Sequence, residues 1–128
     1  MIGYITLGTN DLARGAAFYD ALLAELGASR MMEEETFIAW AVDQGKTSLA
    51  LTKPFDGNPA TAGNGTMVAL EVDTPEQVEA IYNKALELGA TDEGPVGARS
   101  DWFFAGYFRD LDGNKFNVFC LTKPLPSA

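Results

Sequence analysis

The sequence predicts an α+β fold assembled from two copies of a βαβββ module, and two observations predict it. The first is an internal repeat. Tyr4-Ile5-Thr6-Leu7 overlays Met67-Val68-Ala69-Leu70, and Ala17-Phe18-Tyr19 overlays Ala80-Ile81-Tyr82 in the same register. After one deletion, Leu26-Gly27-Ala28 overlays Leu88-Gly89-Ala90, and the halves end alike, with Leu51-Thr52-Lys53-Pro54 returning as Leu121-Thr122-Lys123-Pro124. A long period that occurs only twice marks duplicated supersecondary units rather than a solenoid. The second observation is that each half runs through the same patterns: an alternating strand, a capped amphipathic helix, then three short strands.

In module one, about residues 1–53, an alternating strand over 3–9 leads into a helix capped by Asn10 or Asp11. That helix carries Leu12, Tyr19, Leu22, Leu23 and Leu26 on one side and stops at Gly27. Strands over 29–35, 36–43 and 47–53 follow, the last two joined by a Gln44-Gly45-Lys46 turn. Residues 54–64, rich in Pro, Gly and Asn, read as the linker. Module two, about 65–123, opens with a strand over 65–73. Its helix begins at Thr74-Pro75-Glu76-Gln77, a capping box with Pro at the first helical position. Val78, Ile81, Tyr82, Ala85 and Leu88 form the apolar face, and Gly89 ends it. Strands over 95–99, 103–109 and 115–122 complete the module, with Asp112-Gly113-Asn114 as the hairpin turn.

The length of 128 residues fits a single domain, and a 47% hydrophobic content fits a folded globule with a true core. Nine basic against eighteen acidic residues give a net charge of −9, which argues against binding to a phosphate backbone. No apolar run is long enough to span a membrane, and the N-terminal residues lack the pattern of a signal peptide, so the expected location is the cytoplasm. One cysteine, Cys120, excludes an intrachain disulfide and any Cys-x-x-Cys motif. Histidine is absent, which removes Ser-His-Asp and Cys-His catalysis and His-ligated metals. Asp110, Asp112 and Asn114 do not make a calcium loop, because the twelfth position from Asp110 is Leu121 rather than Glu; they read as a turn.

The opening Ile5-Thr6-Leu7-Gly8 with Asn10-Asp11-Leu12, the Ala17-Phe18-Tyr19 triplet and the closing Tyr107-Phe108-Arg109-Asp110-Leu111-Asp112-Gly113-Asn114 resemble the vicinal oxygen chelate superfamily. That superfamily includes glyoxalase I, bleomycin-resistance proteins and ring-cleaving dioxygenases; Leu111 stands where its Asp-Pro-Asp-Gly-Asn signature has Pro. The resemblance implies that the two modules form a curled mixed sheet around a cavity with the helices outside, in a homodimer. Metal-using members place one ligand on the first and one on the fourth strand of each module. Carried over, these positions are Tyr4 and Met67 on the first strands and Asn117, where Glu is usual, on a fourth. Through the shared Leu-Thr-Lys-Pro ending, the remaining position is Thr47. Phenol, thioether, hydroxyl and amide groups are not the imidazole, thiolate or carboxylate that such cations require, so the expectation is no metal and no cofactor.

Alternation puts Tyr4, Thr6 and Gly8 on one face and Ile5 and Leu7 on the other; in the repeat, Met67, Ala69 and Glu71 share the first face. The aliphatic faces pack on the helices, and the mixed faces line the cavity with Thr47, Asn117 and Phe119. Glu71 is the only acid on those first-strand rows, and with Tyr4 it is the candidate for proton transfer. Trp102 and Phe103 are candidate stacking groups. The expected function is metal-independent binding or sequestration of a small molecule, aromatic or cationic. The alternative is a lyase, isomerase or transferase that works without the usual metal.

Overall fold

The computed structural model describes residues 1–125 and divides them into two compact units, 1–63 with 112–114 and the remainder. The boundary at Gly63/Asn64 falls at the end of the segment read as the linker.

Unit one contains β1 (Tyr4–Gly8), α1 (Leu12–Ala24), β2 (Ser29–Glu33), β3 (Phe37–Ala41) and β4 (Ser48–Thr52). Unit two repeats the order with β5 (Val68–Glu71), α2 (Pro75–Glu87), β6 (Thr91–Ala98), β7 (Phe103–Arg109) and β8 (Lys115–Leu121). Each unit builds one four-stranded mixed sheet, ordered β1-β4-β3-β2 and β5-β8-β7-β6, and neither closes into a barrel. In each, the first strand is parallel to the last and all other pairs are antiparallel. The α+β class and the duplication are thus both observed.

The helix ends follow the predicted chemistry. Asp11, rather than Asn10, caps α1 by accepting from the Arg14 amide. Thr74 and Gln77 form the reciprocal capping box of α2, with Pro75 in its first turn. Both helices end at a glycine in the left-handed region, Gly27 at φ 78° and Gly89 at φ 105°, where a side chain would be strained.

Packing follows from strand parity. In unit one, Phe18, Tyr19, Leu22 and Leu23 of α1 are buried with Leu7, Ile38, Trp40 and Leu51. Phe18 was not among the residues expected to be buried, whereas Leu12 and Leu26 are only half-buried. In unit two, Val78, Ile81, Tyr82 and Ala85 are buried with Phe108, Phe116, Val118 and Cys120, and Phe108 and Phe116 stack at 5.4 Å. Gly106 lies on this helix-facing side because a Cβ there would come within 3.0 Å of the Tyr82 ring. Burial also raises the pKa of Cys120, which stays a free thiol.

Only β7 keeps its expected bounds; β1, β3, β4, β5 and β8 are trimmed by one to three residues at an end, and β2 and β6 differ for reasons the backbone shows. β2 stops at Glu33, because Glu34 and Phe37 bond each other's backbone and close a hairpin turn where two strands were expected to abut. β6 starts at Thr91 rather than 95 and pairs with β7 through register shifts on both sides of Gly94. Bulges let an edge strand carry Gly and Pro, residues of poor strand propensity. Asp92 fixes the first shift by accepting from the Gly94 amide at 2.9 Å and the Tyr82 hydroxyl at 2.6 Å. Burial, with the neighbouring Asp92, pushes the Tyr82 pKa up to about 12.

Asp20 joins α1 to two strands, accepting from Arg30 Nε and Nη2 at 2.9 and 2.8 Å and from Trp40 Nε1 at 2.8 Å. The Arg30 hydrogen bonds hold its carboxyl below the usual range, opposed by burial and aided by Trp40. A depressed carboxylate pKa contributes stability that is present above the unfolded value and lost as pH falls through the folded one. Urea unfolding midpoints should therefore fall more steeply for the wild type than for Asp20→Asn as pH drops from about 5 toward about 2. Parallel curves for the two proteins would show that Asp20 does not carry this term.

Candidate functional site

Each sheet has one face against its helix and one turned away from it. In unit one the ladder pairs Tyr4 with Ser48, Thr6 with Ala50 and Ala39 with Ala50, so these side chains share the face away from α1. A register shift between Arg30 and Met32 turns two consecutive methionines toward it, while Arg30 itself reaches Asp20 on α1. The result is a hollow of about 230 Å³ lined by Tyr4, Met31, Met32, Phe37, Ala39 and Ser48. Tyr4 is 64% exposed beside it.

A larger hollow, about 640 Å³, runs beside the first turn of α1 and includes Asp11, Arg30, Glu35 and Lys53 in its wall. We favour the smaller one as a ligand site. Asp11 is engaged as the helix cap and Arg30 with Asp20 and Glu33, whereas an apolar hollow edged by a phenol and a hydroxyl has the make-up of a small-molecule site.

In unit two the face away from α2 carries Met67, Ala69 and Glu71 beside Asn117 and Phe119 of β8, then Phe103, Ala105 and Tyr107 of β7. Phe103 stacks on Phe119 at 5.0 Å, and Trp102 meets Phe103 edge-on at 5.8 Å. Farther along β7, two cations approach the Tyr107 ring, with Arg99 Cζ 5.4 Å and Lys115 Nζ 5.7 Å from its centre. Arg109 is paired with Glu93 at the end of the strand.

The sequence-predicted residues thus fall into two groups. Tyr4 and Thr6 share the open face of unit one; Met67, Glu71, Asn117 and Phe119 share that of unit two, where Phe103 and Trp102 stand beside Phe119. Thr47 is misplaced: it lies before β4, and its hydroxyl donates to the Ile2 carbonyl at 2.8 Å. The ladders pair Thr6 with Ala50 and Ala69 with Asn117, so the β4 counterpart of Asn117 is Ala50. The shared Leu-Thr-Lys-Pro ending misleads because the two modules are not the same length between first and last strand. Met31, Met32 and Ser48 were missed in unit one, and Arg99, Tyr107 and Lys115 in unit two. Parity along β7 and β8 could have found Tyr107 from Phe103 and Lys115 from Asn117. Arg99 lies just past β6, where its amide donates to the Phe103 carbonyl and its side chain folds back to the Gly97 and Pro95 carbonyls.

These positions do not fit a divalent metal. Tyr4, Met67, Asn117 and either Thr47 or Ala50 supply no imidazole, thiolate or carboxylate. Asn117 is 1% exposed and its amide donates to the Gly106 carbonyl at 3.2 Å. No group of three His, Cys, Asp or Glu among the described residues could hold an ion.

The Asp-Leu-Asp-Gly-Asn turn has a structural task within unit one. Asp112 accepts from the Thr9 hydroxyl at 2.6 Å and the Asn10 amide at 2.9 Å, and Asn114 donates to the Gly8 carbonyl at 3.0 Å. Thr9 is 1% exposed and the Asp112 side chain 4%. Asp112→Ala removes the acceptor of the Asn10 amide and the shorter of the Thr9 hydroxyl's two, leaving the Asp11 carbonyl at 3.1 Å, and should lower stability by about 1–3 kcal/mol. Chemical denaturation checks this, and an unchanged midpoint would remove the turn from the stabilising contacts.

The fold agrees with comparisons to known proteins. A family model for the glyoxalase/bleomycin resistance protein/dioxygenase superfamily matches residues 1–118. A glyoxalase/bleomycin resistance protein from Albidiferax ferrireducens T118 is 33% identical, with 97% of this chain and 99% of that one covered and a TM-score of 0.86. A glyoxalase-related enzyme from Fulvimarina pelagi is 21% identical over 94% of this chain and 87% of that one, with a TM-score of 0.75. A glyoxalase/bleomycin resistance protein/dioxygenase family enzyme from Burkholderia phytofirmans PsJN shares the fold at 19% identity, over 93% and 97%, with a TM-score of 0.75. No curated protein matches the chain. With a family match over most of its length and the same fold in these relatives, the chain belongs to the glyoxalase/bleomycin resistance protein/dioxygenase superfamily.

Proposed function

We propose that this chain is a metal-independent protein that binds or sequesters a small, partly aromatic molecule on the open faces of its sheets. One observation carries the reading: the positions that would hold a metal in metal-using members have neutral, poorly ligating side chains, on faces rich in aromatics and methionine. A hollow of about 230 Å³ is below the usual size of an enclosed small-molecule site, and Tyr4, Met31, Met32 and Met67 are exposed. Both facts support a second copy of this chain covering these faces, as a homodimer. No helix among the described residues is long and apolar enough to cross a membrane, and a buried, unpaired Cys120 suits the reducing cytoplasm. The face that carries Glu71 also carries Arg99 and Lys115, so Glu71 does not by itself select a cation.

Protein purified without chelator should contain no stoichiometric Zn, Ni, Mn or Fe, and a thermal-shift screen of small aromatic compounds should find ligands that raise the melting temperature. One equivalent of metal surviving desalting would overturn metal independence, and a screen without stabilising compounds would overturn binding. Tyr4→Phe and Glu71→Gln separate a binder from an enzyme. In a binder each should change affinity by no more than about a hydrogen bond's worth, near 1 kcal/mol for Tyr4→Phe. A turnover that falls about a hundredfold or more in these variants, with binding retained, would instead identify a metal-free lyase, isomerase or transferase.

A further inference from the structure

We infer that the open face of unit two binds an oxyanion, a carboxylate or phosphate carried on an aromatic body, between Arg99 and Lys115 above the Tyr107 ring. This rests on the small-molecule reading above and names its ligand class.

Arg99 is built into position. Its Nη1 donates to the Gly97 carbonyl at 2.9 Å and its Nη2 to the Pro95 carbonyl at 2.5 Å. The guanidinium lies where side chains on β6 would otherwise intrude: a Cβ at Gly97 or Gly94 would come within 3.4 Å of its nitrogens. Two of its five N–H groups are thereby engaged, and the structure records no acceptor for the others among the described residues. Lys115 approaches the same ring, with Nζ 5.7 Å from its centre, and among the described residues neither cation is paired with a carboxylate.

Charge arithmetic makes this arrangement informative. The chain has twice as many acidic as basic residues, yet two of its nine cations converge on one ring without an acid between them. Cation–π contact holds each of them in place but leaves their charges unneutralised. An oxyanion supplies the missing partner, and a fixed guanidinium is suited to two parallel hydrogen bonds to one.

The surrounding residues orient the ligand. Phe119, stacked on Phe103, lies two residues along β8 from Asn117, the cross-strand partner of Tyr107, a step of about 7 Å. That span suits an aromatic ring attached to the anionic group. Glu71 is paired in register with Phe119 and repels an anion at that end, which leaves the Tyr107 end for the charged group.

The test uses the full chain, isotopically labelled, titrated with phenyl phosphate, benzoate, benzyl alcohol and benzylamine and followed by amide chemical shifts. Both anions should bind with saturating shifts at Tyr107 and Phe119 and weaken as salt rises; the tighter of the two identifies the headgroup. Benzyl alcohol should bind about tenfold more weakly or worse, and benzylamine more weakly still. Arg99→Gln and Lys115→Gln should each weaken the anions about tenfold and leave benzyl alcohol unchanged. Arg99→Lys should recover part of the loss, and the melting temperature of each variant confirms that it is folded. Equal binding of the alcohol or the amine, or anion binding unaffected in both Gln variants, would overturn the oxyanion site while the small-molecule reading stands. Failure of all four probes to bind would also overturn it, and the thermal-shift screen then decides the small-molecule reading separately.

Discussion

A four-stranded sheet with one helix can bury only one of its faces within its own unit. That constraint organises both halves of this protein. Aliphatic and aromatic side chains at alternate strand positions pack on α1 or α2, and burying each large one contributes about 1.5–3 kcal/mol. The intervening positions have no helix to face, and their composition differs accordingly: Tyr4, Met31 and Met32 in unit one, and Met67, Glu71, Tyr107 and Lys115 in unit two. Side chains that are not packed against their unit's helix are available to bind something else.

The parity that creates these faces was legible in the sequence because a strand's side-chain period is two wherever the strand is regular. Helix caps and stops were legible for a similar reason, since Thr74-Pro75-Glu76-Gln77 and the two glycines each answer a local backbone requirement. The misses occur where the period breaks. The β2 register shift turns Met31 and Met32 to one face, the Glu34–Phe37 hairpin ends a strand early, and the β6 bulges shift its pairing with β7. A bulge depends on the partner strand and on long-range groups such as Tyr82 and Asp92, which no local pattern reveals. Thr47 failed differently: matching chain ends gave its register, but cross-strand hydrogen bonds set the true one and select Ala50.

Several acids that could suggest chemistry serve the architecture. Asp20 gathers Arg30 and Trp40, Asp92 holds Tyr82 and the Gly94 amide, and Asp112 satisfies buried Thr9 and Asn10. In each case the carboxylate accepts at least two hydrogen bonds and so satisfies donors from neighbouring segments. Asp112 and Asn114 of the Asp-Leu-Asp-Gly-Asn turn are therefore accounted for by backbone and hydroxyl partners.

A net charge of −9 is a property of the whole chain, whereas recognition depends on the field at one place. At physiological ionic strength exposed charges are largely screened beyond about 8 Å, so an acid elsewhere on the surface contributes little at the Tyr107 ring. The nearby charges are Arg99 and Lys115, each within 6 Å of the ring centre, with Arg109 already neutralised by Glu93. The overall acidity and the local cationic pair are thus compatible. Acidity keeps a protein with exposed methionine and tyrosine soluble, and it slows the long-range approach of anions. The held guanidinium acts only at contact distance, where two parallel hydrogen bonds discriminate an oxyanion from a neutral group. A site of this kind selects its ligand by geometry after encounter rather than by steering before it.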